Sequence, residues 1–371
     1  MQRIAALAIN GSFYFTQYVY MCAQMNRNDF EVIVIGGGQA GLACGWHLQR
    51  QGRDFVILDA QDRPGGNWRN YYDSLTLFSP ARYSGLPGMA FPGDPGRYPL
   101  RDEVVEYLEQ YSDHFQLPIK QKAQVVLVER EGTGFRVATA DGQIFFSKAV
   151  VVGTGAFSQP YIPEITGMQD FEGRVLHSAS YARAQEFSGE RVIVVGAANS
   201  AVQIAHELAQ VANVTLATRE PVRFFPQRPL GIDFHAWLKW TGLEKTRWLN
   251  DQSTPVLDRG TYRRALHSGQ IRHKDMFHQV TRDGVVWKDG THEPVQSIIF
   301  ATGFRPNLGA LGQLPVFDHQ NRVAHKNGVS TMVPGLYFIG LPKQRSFASA
   351  TLRGVGPDAQ YIAKRLRAQL R

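Results

Sequence analysis

Twice in 371 residues a short apolar run ends on a glycine turn that opens a helix, and both turns stand in one register to a charged residue. The first unit runs Glu31-Val-Ile-Val-Ile35, then Gly36-Gly-Gly-Gln-Ala-Gly41, then a helical stretch Leu42 to Gln51 and a strand Phe55-Val-Ile-Leu58. The second runs Arg191-Val-Ile-Val-Val195, then Gly196-Ala-Ala-Asn-Ser-Ala201, a helix Val202 to Val211 and a strand Val214-Thr-Leu-Ala217. Apolar runs of this length bounded by glycine predict parallel strands buried on both faces. A small residue at each of the three motif positions permits a tight turn, close approach of backbone N–H groups to a pyrophosphate, and packing of helix on strand. The helix N-terminus then offers positive partial charge to an anion. Gly36, Gly38 and Gly41 keep all three glycines; Gly196, Ala198 and Ala201 keep one.

Asp59 lies 23 residues after Gly36, and Arg219 lies 23 residues after Gly196. A carboxylate at the end of the second strand accepts from free ribose hydroxyls and repels a 2′-phosphate, whereas an arginine attracts one. The first copy therefore suits FAD and the second NADPH. A solvated surface arginine is the alternative for Arg219, and its neighbour Glu220 weakens a phosphate preference, so NADH stays open as a donor. Asn199 and Ser200 open the second helix, either capping it or meeting the NADP pyrophosphate.

The length suits two cores. A hydrophobic fraction of 43% and a charged fraction of 19% are ordinary for a globular enzyme. The net charge of +8 is dispersed, and no nucleic-acid module signature is present, so nucleic acid is not expected as a partner. Cys22 and Cys44 form neither a CxxC pair nor a metal-ligand set, which argues against a dithiol centre and a metal site. Residues 1–28 read as an extension. Its uncharged run Ile4 to Met25 is broken by Asn10, Gly11, Ser12, Thr16 and Gln17, which weakens a membrane span, while a surface anchor or export signal stays open. A cytoplasmic location and a homodimer are the working expectations.

Arg101 to Phe115 is predicted as an amphipathic helix. Val125–Val128, Phe135–Ala140 and Gln143–Phe146 alternate as antiparallel strands. Ala149–Val152, Ser297–Phe300 and Leu336–Ile339 read as further buried strands, and Val355 to Leu370 as a closing helix with Gly354 and Gly356 at its start. The segment from Arg223 to Asn250 carries Phe224, Phe225, Phe234, Trp237, Trp240 and Trp248, and reads as a helix packed on the second unit; a substrate entrance or a membrane-touching surface is the alternative.

Between the two glycine turns, Phe171-Glu-Gly-Arg-Val-Leu-His177-Ser-Ala-Ser-Tyr181 fits the pattern F-x-G-x-x-x-H-x-x-x-[YF]. Gly65-Gly-Asn-Trp68 fits GGxW, and Phe300-Ala-Thr-Gly-Phe304 fits an ATG element. With these motifs the chain, from about Asp29 to its end, resembles the class B flavin monooxygenases, specifically the flavin-containing monooxygenases and their small bacterial relatives. Baeyer–Villiger relatives usually carry Trp-Pro after the fingerprint histidine, where this chain has Tyr181-Ala182.

The resemblance implies an α/β fold of two Rossmann-like dinucleotide-binding domains, the NADPH domain (166–294) inserted in the FAD domain (29–165 and 295–371), as in glutathione and thioredoxin reductases. It implies that Gly66, Trp68, Val125 and Thr154 join the FAD-binding set and Thr302 the NADP set. Trp68 either packs near the flavin or belongs to the core. Asn67, His177 and Phe78 are the candidate catalytic residues. His177 either orders the interdomain linkage and nicotinamide or is a buried structural histidine, and Phe78 stands where the family commonly has asparagine. The implied reaction takes hydride from NADPH, forms a C4a-hydroperoxyflavin with dioxygen, and passes one oxygen to a small thioether, amine or ketone. The alternative is an NAD(P)H-dependent flavin oxidoreductase or oxidase without stable oxygen transfer; a non-enzymatic redox-sensing module is a third reading.

Overall fold

The computed structural model describes residues 28–155, 157–246 and 255–370. The N-terminal extension up to residue 27 and Trp248 lie outside the described residues.

The larger sheet is built around parallel strands in the order Leu336–Phe338, Ile144–Val152, Asp29–Ile35, Phe55–Leu58 and Ile119–Lys120. Its central members are Val/Ile-rich and buried on both faces, as the uninterrupted apolar runs predicted. Helices α1 (Gln39–Arg50), α2 (Arg101–Phe115) and a long C-terminal helix pack on one face around Leu42, Leu48, Tyr107, Tyr111, Val355 and Ile362. The other face is covered by the antiparallel strands Val125–Glu131 and Gly134–Thr139 and by Leu308, Leu311 and Val316.

Gln143–Phe146 and Ala149–Val152 are not separate strands: Ile144–Val152 is a single nine-residue strand. Its first half pairs antiparallel with Gly134–Thr139 and its second half parallel with Asp29–Ile35, so one strand belongs to a meander and to the Rossmann sheet at once.

The second sheet is wholly parallel, in the order Ile271–Asp275, Asn213–Thr218, Arg191–Val195, Ser297–Phe300 and Arg174–His177. Helix α3 (Asn199–Leu208) buries Ala201, Val202, Ile204, Ala205 and Leu208 against it. The chain enters and leaves this unit by two linkers that run antiparallel, with Phe304 opposite Pro160 and Arg305 opposite Gln159. That paired crossing makes the second unit an insertion in the first. No helix among the described residues is long and apolar enough to cross a membrane.

Candidate active site and cofactor sites

Each glycine turn follows the carboxyl end of its central strand, and the two are built alike. The Gly36 N–H donates to Leu58 O at 2.8 Å and the Gly153 N–H to Ile35 O at 2.8 Å. In the second unit the Gly196 N–H donates to Ala217 O at 3.0 Å and the Ala301 N–H to Val195 O at 2.8 Å. Gly36 has φ +104° and a side chain there would stand 2.6 Å from Gly153 O; Gly196 has φ +141° and a side chain would stand 2.5 Å from Ala301 O. Thr154 and Thr302 thus occupy equivalent places beside their respective turns. A Cβ on Gly41 would overlap Gly36 O, so only glycine lets α1 approach its strand so closely. A Cβ on Gly66 would stand 2.9 Å from Gly38 Cα, so the two glycines face each other across the cradle.

Both helices begin without a side-chain cap, at Gly38 and at Ala198. Asn199 and Ser200 therefore do not cap the second helix: they sit inside its first turn, one and two residues past the capping position. The N–H groups of each first turn are left for a ligand.

Asp59 is 4% exposed, and its Oδ2 has no hydrogen-bond partner among the described residues. Oδ1 takes only a long bond, 3.4 Å, from the Gln61 N–H. Burial pushes the carboxyl pKa above its ordinary value, against the pull of backbone N–H groups of Gln61, Gly37 and Ala60. A buried acceptor without a donor beside a glycine cradle fits the ribose hydroxyls of a dinucleotide. Val125 is half-buried at the start of its strand, two residues beyond Ala123, whose N–H donates to Asp59 O at 2.8 Å. At the equivalent place in the second unit Arg219 is exposed and makes no ion pair or hydrogen bond with the described residues, which fits a 2′-phosphate.

Asn67 and Trp68 sit on a short 3-10 turn, Gly66–Asn70. Asn67 donates to Phe157 O at 3.0 Å and accepts from Asn70 at 2.7 Å. Trp68 Nε1 donates to Gln39 Oε1 at 3.2 Å, and Gln39 Nε2 donates to Ala350 O at 3.0 Å. This relay ties the cradle to the loop before the C-terminal helix. That helix spans Leu352–Gln369, one turn earlier than the glycines suggested, because Gly354 lies inside its first turn, where a side chain would overlap Ala348 O. Pro357, the sixth residue, removes the bond that its N–H would make to Arg353 O.

The fingerprint holds the crossing. Gly173 lacks a side chain where one would strike the Phe171 ring and stand 2.5 Å from Gln296 O. His177 is buried; its Nε2 donates to Gly303 O at 2.9 Å and its Nδ1 accepts from the Ala179 N–H at 3.1 Å. Burial holds it below the usual histidine pKa, so it is neutral with both nitrogens engaged by backbone. Tyr181 packs on Tyr72 and Phe187. The structure brings His177 to the exit linker and not to the Phe78 region.

The aromatic segment departs from expectation in its packing. Its strand Phe224–Pro226 rests on the second unit through Phe224 and pairs with Val256–Asp258. Its helix α4 (Phe234–Thr241), however, turns toward the first unit: Phe234, Leu238 and Leu257 cluster with Phe78 and Phe347. Gln227 Nε2 donates to Phe78 O at 3.1 Å, and Glu244 pairs with Arg353 in the C-terminal helix. Sequence reading missed His235 and Asp233, which stand beside Phe78; the Asp at the helix start was the one available signal.

The family described as pyridine nucleotide-disulphide oxidoreductase matches residues 33–340. A flavin-containing monooxygenase from Stenotrophomonas maltophilia superimposes with a TM-score of 0.83 at 32% identity, over 93% of this chain and all of that one. An uncharacterized CzcO-like oxidoreductase of Geobacillus kaustophilus is 37% identical over 340 residues, 90% of this chain and 97% of its own length. The rice indole-3-pyruvate monooxygenase YUCCA1 is 28% identical over 385 residues, 91% of this chain and 92% of its own. With its two nucleotide cradles and these likenesses, the chain belongs to the pyridine nucleotide-disulphide oxidoreductase family and, within it, is a flavin-dependent monooxygenase with FAD and NADPH as cofactors.

Proposed function

We propose that this protein transfers one oxygen atom from dioxygen to a small soft nucleophile, a thioether or amine, or to a ketone, at the expense of NADPH. The observation that carries the reading is the pair of cradles of opposite charge preference, Asp59 and Arg219, joined by one double crossing. FAD supplies the redox chemistry, accepting hydride from NADPH and activating dioxygen.

In this reading residues 29–165 and 295–371 hold FAD, and 166–294 hold NADPH. Gly36, Gly38, Gly41 and Gly66 admit the FAD pyrophosphate to the first turn of α1, Asp59 takes ribose hydroxyls, and Val125 and Thr154 border the site. Gly196, Ala198, Asn199, Ser200 and Thr302 form the second cradle, with Arg219 on the 2′-phosphate. The Trp68–Gln39–Ala350 relay fixes the cradle against the loop leading to the C-terminal helix. His177 orders the linker through Gly303 and so acts as a positioning residue. Phe78, Phe234, Leu238 and Phe347 form an apolar wall that excludes water. Dithiol chemistry has no support: the one described cysteine, Cys44, is buried and its thiol is pushed up to about 12.

Phe78 favours a second reading, that of an oxidase releasing hydrogen peroxide, because an apolar ring offers no hydrogen bond where the family commonly offers an amide. Incubation with NADPH, isotopically labelled dioxygen and methyl phenyl sulfide decides between them. Label in the sulfoxide supports oxygen transfer. Hydrogen peroxide equal to the NADPH consumed, with no labelled product from sulfides, amines or ketones, rejects it.

A further inference from the structure

The arm between Phe224 and Asp258 delivers a polar group to the Phe78 wall. Asp233 caps α4, accepting from the His235 N–H at 2.8 Å, and the same Oδ1 takes the imidazole Nδ1 at 2.9 Å. Its Oδ2 accepts from Tyr98 and, at 3.3 Å, from Gln227. Burial pushes the carboxyl up, but the imidazole, Tyr98 and the His235 N–H outweigh it and hold it down to about 2, so it stays ionised and fixes the proton on Nδ1. The His235 ring lies nearly parallel to Phe78, with centroids 6.0 Å apart and planes at 22°, and Tyr83 stands at 6.4 Å. His235 is 2% exposed, yet its Nε2 meets no donor or acceptor among the described residues. Beyond Asp233, the charges that act on the ring are Arg353 and Glu244, which pair with one another. A nitrogen lone pair left open on a ring packed against Phe78 is free to accept from a donor.

We propose that His235 is a substrate-binding residue of the oxygen-transfer pocket, its Nε2 accepting a hydrogen bond from an N–H or O–H on the substrate while Phe78 and Phe347 meet the apolar body. The preferred substrate is therefore a thioether or amine that carries a hydrogen-bond donor on an aromatic or aliphatic frame. This rests on the function proposed above. Asp233 acts through His235 as a positioning residue.

The test compares methyl phenyl sulfide with 4-(methylthio)aniline, which adds an N–H donor to the same frame, using the FAD-loaded protein. The wild type prefers the aniline by about tenfold in kcat/KM, the worth of one hydrogen bond inside a pocket. His235→Phe keeps a ring against Phe78 and removes the nitrogen; the preference falls to about one, with the loss in KM. Asp233→Asn, which retains a helix cap, lets the proton move to Nε2 and lowers the preference as well, a change that packing alone does not produce. Melting temperature and FAD content report whether each variant folds. A preference that survives His235→Phe overturns the proposal, as does a wild type that does not distinguish the two sulfides. Should neither sulfide be oxidised while NADPH still bleaches the flavin, the oxygen-transfer reading fails. Titration of the two sulfides against the flavin absorbance then decides the His235 assignment by the same ratio.

Discussion

Asp59→Asn separates two consequences of burying a carboxylate with one unsatisfied oxygen. The substitution keeps the shape and removes the charge. With FAD bound, the wild-type carboxylate takes charge-assisted hydrogen bonds, about 1.5–3 kcal/mol each, where the amide offers neutral bonds of about 1 kcal/mol. The difference over two ribose hydroxyls is roughly 1–4 kcal/mol, or about 5- to 1000-fold in FAD affinity. Without FAD the sign reverses. Burial raises the Asp59 pKa, so the apoprotein is unpenalised below the unfolded value near 3.8 and loses stability as pH rises through the folded value. The apo variant therefore melts above apo wild type at pH 7, and the gap closes toward pH 4. Fluorescence titration of apoprotein with FAD and melting curves at both pH values measure the two effects. A variant that binds FAD within twofold of wild type, or whose apo form melts lower at pH 7, refutes the assignment of Asp59 to the ribose.

Arg219→Ala removes one exposed charge-assisted contact, so the KM for NADPH rises about tenfold while that for NADH changes less than twofold; steady-state kinetics with both donors checks it, and an unchanged ratio contradicts the 2′-phosphate role. Asp358 is 1% exposed in the C-terminal helix, bonded to Arg345 while its Oδ2 has no partner, and burial raises its pKa to about 6. Asp358→Asn therefore stabilises the protein at pH 8 by up to about 3 kcal/mol, and melting curves show the advantage shrinking as pH falls from about 6 toward 4.

Local features were legible in the sequence because their causes are local. Val/Ile runs ending in glycine gave the central strands, the spacing of Val104, Leu108 and Tyr111 gave α2 with both of its ends, and the 23-residue register paired Asp59 with Arg219. The merging of two strands into Ile144–Val152 was hidden, because Ser147 and Lys148 break the apolar pattern where the strand passes from one partner to the next. The start of the C-terminal helix was hidden by Gly354 and Gly356, which serve close packing against Ala348 O and Pro87 and not helix initiation. The destination of the aromatic arm was hidden for another reason. Gln227 reaches Phe78 across 149 residues and Glu244 reaches Arg353 across 109, and no periodicity in a single sequence encodes such pairings. His235 escaped notice for the same reason: its partner Asp233 is adjacent, but the Phe78 ring that gives the pair a function is distant in sequence.

Stopped-flow spectroscopy of the FAD-loaded protein, reduced with NADPH and then mixed with oxygen, tests the central claim most directly. Oxygen transfer predicts a transient near-ultraviolet band, distinct from oxidised and from reduced flavin, that decays faster when methyl phenyl sulfide is present. Direct return to oxidised flavin with stoichiometric hydrogen peroxide, at a rate indifferent to the sulfide, contradicts it.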